Sequence, residues 1–268
     1  MSLQRFENQI CPVDTSFLKV DEFTFSVLIR ILRGVCTLTI TDGARVVICY
    51  STSPFPVWIW VPDDASEEEI EQAYLLTKEN FDLHLHRFIL KYRLSDYFIA
   101  RANEDGISLG IDTNMLAYCC PSPILPKKIV PGFLEVAGDE DVLFTAQFLK
   151  AFHEALNADR ESDEGYLEKA SNYISQKQFF YWNDGKERVA CCSYICSGDQ
   201  CSIGSVYTLP THRCKGFAAN LIYAVSKRIS ESGYLPTLYT DADYIASNTC
   251  YTQVGFISKG KVCSIGGK

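Results

Sequence analysis

The sequence predicts an α/β (α+β) chain of two domains, a smaller α+β domain over residues 1–128 and a second over residues 129–268. Three observations carry that reading. The length of 268 residues exceeds the usual single domain. In both halves, β-rich runs bounded by Gly, Asp and Asn turns alternate with stretches of helical apolar periodicity. Between them, Pro121-Ser122-Pro123-Ile124-Leu125-Pro126 concentrates proline where regular structure must stop, so the boundary is placed near 126–133.

Taken in order, Val35 to Thr41 and Arg45 to Tyr50 read as a hairpin joined across Asp42-Gly43, and Pro56 to Val61 as a third strand. Ser66 with Glu69 forms a capping-box pattern that opens a helix toward Asn80. A second helix is expected over Leu83 to Tyr92 and a strand over Asn114 to Cys120. Past the prolines, Val142, Phe144, Phe148, Phe152 and Leu156 have amphipathic helical spacing, and Asp163 to Gln176 follows as another helix. Gln178 to Trp182, Arg188 to Ile195 and Ser202 to Leu209 read as an antiparallel meander, because Asn183-Asp184-Gly185 and Ser197-Gly198-Asp199 supply its turns. In Phe217 to Ser232, Ala218, Leu221, Ile222, Val225 and Ile229 share one helical face and Gly233 ends the helix. Leu235 to Thr240 as strand, Ser247 to Val254 as helix and Phe256 to Ile265 as strand complete a crossover unit.

Apolar residues at 47% and charged residues at 22% describe an ordinary globular chain. A formal charge of -8 argues against a general nucleic-acid binder, which needs clustered cations for phosphates. No run approaches the ~20 apolar residues of a membrane helix. The start, Met1-Ser2-Leu3-Gln4-Arg5, lacks an apolar signal core, so a cytoplasmic protein without membrane or nucleic-acid partners is expected. The 12 cysteines fall largely in β-rich runs and are read as reduced, buried strand residues. Cys191, Cys192, Cys196 and Cys201 lack the paired spacing of a zinc site, so no metal is expected.

Chemistry points to Pro210-Thr211-His212-Arg213-Cys214-Lys215-Gly216-Phe217-Ala218, a polar turn entering a helix. Free N–H groups at a helix start point outward together, the helix dipole adds partial positive charge, and a pyrophosphate is held there by backbone donors. Gly216 and Ala218 allow close approach. Arg213-Cys214-Lys215-Gly216-Phe217-Ala218 resembles the Arg/Gln-x-x-Gly-x-Gly/Ala motif of the GNAT superfamily of N-acetyltransferases. Before it, Val206-Tyr207-Thr208-Leu209-Pro210 is similar to that superfamily's fourth strand, and Asn248 to Phe256 resembles its Asn-x-x-Tyr-x-x-x-Gly-Phe signature.

The resemblance covers roughly residues 134 to 265. It implies a mixed, mostly antiparallel central sheet flanked by helices, acetyl-CoA as co-substrate, and acetyl transfer to a small-molecule or peptide amine. It further implies that Val206, Tyr207 and Thr208 offer backbone groups to the pantetheine arm. Arg213, Cys214, Lys215, Gly216, Phe217, Ala218 and Ala219 would wrap the pyrophosphate, and Asn248 would hydrogen-bond the pantetheine. Tyr251 is the candidate catalytic acid, because amine attack on a thioester expels a thiolate that a phenol can protonate or stabilise; packing against the sheet is the other role of a helix tyrosine.

The sequence departs from that pattern in three places. Cys214 stands where glycine is frequent, which leaves the backbone donor in place. The chain ends soon after Ile265, so the usual final strand is expected to be absent or supplied from elsewhere. The fourth strand carries no glutamate base; Asp241 and Asp243 are the nearest acids but suit a solvated turn, so the base is unassigned. The first domain is expected to select substrate, with Trp58, Trp60, Tyr92 and Tyr97 as cleft candidates, to cover an edge, or to form a homodimer. It is alternatively a degenerate copy of the same fold. A catalytically inactive coenzyme A binding or regulatory module is the alternative to an enzyme.

Overall fold

The computed structural model describes residues 3–156 and 161–268. In chain order its first elements are β1 (Gln4–Ile10), α1 (Ser26–Ile31), β2 (Val35–Thr41), β3 (Val47–Tyr50), β4 (Val57–Trp60), α2 (Glu67–Asn80), β5 (Phe88–Leu90), α3 (Tyr92–Glu104) and β6 (Leu109–Cys119). There follow β7 (Phe133–Val136), α4 (Val142–Ala155), α5 (Asp163–Ser175), β8 (Phe179–Asn183), β9 (Arg188–Ser197) and β10 (Gln200–Thr208). The last are α6 (Phe217–Glu231), β11 (Leu235–Asp241), α7 (Ile245–Gln253) and β12 (Ile257–Gly267). The mixed, mostly antiparallel sheet flanked by helices is the architecture expected.

The local signals explain most of these elements. Ser66 accepts from the Glu69 N–H and Glu69 reaches back to the Ser66 N–H, so α2 starts at the capping box. Gly233, at φ +85°, lies just beyond α6, whose buried face includes Leu221, Ile222, Val225 and Ile229. One expectation is overturned: Leu83 to Tyr92 is not a helix. Phe88–Leu90 is a fully buried strand, and α3 begins only at Tyr92. A short apolar run buried on both faces has no periodicity to separate strand from helix. Its parallel partner, Val57 and Trp58 of β4 against Phe88 and Ile89, decided the outcome.

The chain folds as two compact units. The first contains residues up to Ala117 together with Asp241–Asp243 and Lys259–Lys268; the second contains Tyr118–Thr240 and Tyr244–Ser258. The break therefore falls near 117/118 rather than 128/129, and most of β12 is built into the first unit. In the first unit the strand order is β1-β2-β3-β4-β5-β12-β6, and in the second β11-β10-β9-β8-β7. Each unit repeats one chain order: strand, helical segment, three antiparallel strands, helix, a strand parallel to the one before it, helix.

The first core gathers Val57, Ile59, Tyr74, Phe88, Phe98 and Cys263. Trp58 and Trp60 are 7% and 2% exposed, one edge-on to Phe25 and the other beside Phe17 with its indole N–H donated to Asp21. Both pack on the sheet, and Trp60 also borders a cleft with Phe17, Asp21, Arg45 and Pro62. The Tyr92 and Tyr97 hydroxyls are likewise engaged, on Asn114 and Glu71. In the second unit, α4 and α5 cover one face of the sheet through Phe148, Leu149, Tyr166 and Ile174 against Phe179, Tyr181, Cys191 and Tyr207.

The cysteine expectation needs one correction. Cys36, Cys49, Cys191 and Cys192 are buried and free, but Cys196 and Cys201 form a disulfide. They stand directly opposite in the β9–β10 register, flanking the Ser197-Gly198-Asp199 turn, so the hairpin itself brings the two thiols together. Among the described residues there is no group of three His, Cys, Asp or Glu side chains that could hold a metal, and no helix long and apolar enough to cross a membrane.

Candidate functional site

The site is built where β10 hands over to α6 within the second unit. β10 pairs antiparallel with β9, but the register shifts between Gly204 and Tyr207, and Ser205 has φ +50°. An unpaired residue in one strand bends it and breaks the ladder locally. On its other side β10 runs parallel to β11 only from Gln200↔Leu235 to Ile203↔Leu238. From Gly204 onward, Tyr207 and Thr208 pair with β9 on one edge and have no β11 partner on the other, and Val206 lies in the bulge before them, leaving backbone donors and acceptors along an open edge.

Beyond Leu209 the chain makes one 3₁₀ turn at Pro210–His212, and Cys214 and Gly216 take left-handed backbone at φ +58° and +102°. α6 then starts with Gly216 as its cap, which has no side chain to offer. The first intrahelical bond spanning the turn is Asn220 N–H to Gly216 C=O, so the N–H groups of Phe217, Ala218 and Ala219 have no acceptor within the helix. Gly216 also packs tightly, because a Cβ there would lie 3.2 Å from Val130 Cγ1 and 3.4 Å from Lys128 Cδ. Such a turn accommodates a pyrophosphate on backbone donors.

The side chains around it have definite places. Arg213 folds back along β10, its Nε donating to the Thr208 carbonyl at 3.1 Å and its guanidinium lying over the Tyr207 ring. Cys214 and Lys215 are exposed. Asn248, in α7, accepts from the Tyr118 hydroxyl at 3.5 Å and donates to the Tyr244 carbonyl at 3.1 Å. Tyr251 is 6% exposed, with its ring against Phe256 at 5.9 Å. Burial pushes its phenol well above the ordinary range, opposed by a hydrogen bond with Ser247. It is consequently a proton donor at neutral pH.

Asp241 and Asp243 form the turn anticipated for them. Asp241 accepts from the Asp243 N–H, and Asp243 accepts from Asn114 Nδ2 at 2.8 Å, both within the first unit. Sequence reading missed Asn220, Lys128 and Val130, which back the turn. A polar Asn on the buried face of α6 was the available signal. The strand beside β11 was also left open: Cys120, just past β6, donates its N–H to Pro236 of β11, so the neighbour comes from the segment before the prolines.

The fold is that of the GNAT acetyltransferases. It matches a GNAT-family acetyltransferase from Colwellia psychrerythraea over 100% of both chains, at 14% identity and a TM-score of 0.59. It also matches GCN5-related N-acetyltransferases from Sphaerobacter thermophilus (14% identity, 90% of this chain and 84% of that one, TM-score 0.64) and Kribbella flavida (15%, 92% and 95%, 0.54). Residues 184–264 match the family model described as FR47-like protein, a stretch that holds β10, the turn, α6 and the Asn248 to Phe256 signature. No curated protein matches the chain.

Among the described residues, the first unit has no equivalent of the turn. At the corresponding point, between β4 and α2, stand Pro62-Asp63-Asp64, and the Ser66 side chain takes up a helix-start N–H. Acidic residues and a capped helix disfavour an anion.

Proposed function

We propose that this chain is an acyltransferase that moves an acetyl group from acetyl-CoA directly to an amine. The observation that carries this reading is the uncapped start of α6 at Gly216, set at the end of a β10 edge that β11 leaves open. The residues present fit the co-substrate: backbone donors of Cys214 to Ala219 face the pyrophosphate, and the open edge at Val206 to Thr208 suits the amides of pantetheine. Asn248 serves the same arm by exchanging one of its present hydrogen bonds.

Direct transfer needs a neutral amine aligned with the thioester and a group that stabilises the departing sulfur. Tyr251 fills the second role as a buried, protonated phenol. Because burial raises its pKa, it acts first as a hydrogen-bond donor to developing negative charge. β10 carries no acidic side chain, so the amine proton leaves to solvent. The same lack favours a second reading, a coenzyme A binding module without turnover.

The test is thermal unfolding with and without acetyl-CoA, followed by thiol release with a panel of small amines and peptide N-termini. Saturation at about 100 times the dissociation constant adds ~2.7 kcal/mol. A shift with thiol release supports the enzyme, and a shift without release on any amine supports the binding module. No shift with acetyl or longer acyl donors overturns both.

A further inference from the structure

We propose that Lys128, between β6 and β7, is a phosphate-binding side chain of the acetyl-CoA site, positioned by Asn220. This deepens the proposed function and rests on it. Asn220 is 4% exposed, and its Nδ2 donates at 2.9 Å both to the Gly216 carbonyl and to the Lys128 carbonyl, 92 residues earlier. A buried amide on an apolar helix face is costly unless its bonds are made. Here one amide ties Gly216, the helix cap that ends the turn, to Lys128. The lysine stem lies against that turn, with Cδ and Cγ 3.4 Å and 3.6 Å from where a Gly216 Cβ would be.

The charge is available. Among the described residues no carboxylate pairs with Lys128, whereas Lys91 holds two, Asp21 and Asp63, at 2.6 Å each and Lys169 holds Glu161 at 2.7 Å. The helix start supplies only about half an elementary charge. In a chain of net charge -8, the pyrophosphate or the 3′-phosphate of coenzyme A needs a full cation beside those backbone donors. Lys128 adds such a cation to Lys215 of the turn itself, brought in by a segment outside the turn.

The experiment measures acetyl-CoA and acetyl-dephospho-CoA affinity by calorimetry on the full chain. It compares the parent with Lys128→Met, which keeps the stem and removes the charge, with Lys128→Arg, which restores the charge, and with Asn220→Ala. Lys128→Met is expected to weaken acetyl-CoA about tenfold and flatten its salt dependence. Its unliganded melting temperature stays put and Lys128→Arg recovers the affinity. Asn220→Ala is expected to cause part of the same loss and to add little in the double variant. If Lys128→Met binds dephospho-CoA as the parent does, the 3′-phosphate is the partner; if the loss persists, the pyrophosphate is. Parent-like acetyl-CoA affinity in Lys128→Met overturns this proposal alone. Failure of the parent to bind acetyl-CoA overturns the site itself.

Discussion

Replacing Gly216 by alanine perturbs the turn at its tightest point. At φ +102° an L residue is strained, a cost of about 1–3 kcal/mol. The new methyl meets Val130 Cγ1 at 3.2 Å, inside the roughly 3.5–4.0 Å of an ordinary carbon contact. A combined loss of about 2 kcal/mol lowers the unliganded melting temperature by roughly 4–8 °C in a chain of this size. The turn must also shift its amides to relieve the contact, and a tenfold loss of affinity is the expected consequence. At a ligand concentration that adds ~2.7 kcal/mol to the parent, a tenfold weaker variant gains about 1.4 kcal/mol. Melting curves with and without acetyl-CoA, for parent and variant at one ligand concentration, read both numbers. A variant that keeps the parent's full ligand-induced shift refutes the placement of pyrophosphate on this turn. One that melts with the parent refutes the strain argument.

Other consequences follow from individual groups. Tyr251→Phe is expected to cut kcat by about 10²–10⁴ while leaving acetyl-CoA affinity near the parent's, and equal loss of both would rule out the acid role. Because burial holds the Tyr251 proton above pH 10, turnover rises as the acceptor ammonium deprotonates and shows no falling limb up to pH 10; a limb centred near pH 9 counts against it. The Glu69 carboxyl is lowered to about 2, chiefly by its bond with Arg45. Its contribution is complete above about pH 4.5 and is lost as the pH falls toward 2. Glu69→Gln should remove roughly 1 kcal/mol of that acid-dependent stability, measured as urea midpoints across this window.

Much of the second unit was legible because its signals are local. The amphipathic stripe of α6, the Ser-Gly-Asp turn of the β9–β10 hairpin and the small residues of the turn each act within a few positions of their cause. Phe88–Leu90 was not legible, since a short buried run looks alike as helix or strand until its partner is known. Cys196 and Cys201 were readable as strand residues, but whether they face one another depends on the register across the turn.

By itself the sequence determined that residues 206–256 make a strand, a tight polar turn leading into a helix, and the Asn248 and Tyr251 helix, because composition and spacing over a few residues decide each. Tertiary structure alone decided that β10 parts from β11 after Ile203, that Asn220 draws Lys128 onto the turn, and that β12 belongs with the first unit. Those are contacts between segments tens to hundreds of residues apart, set by which edges and buried polar groups find partners once the chain is compact.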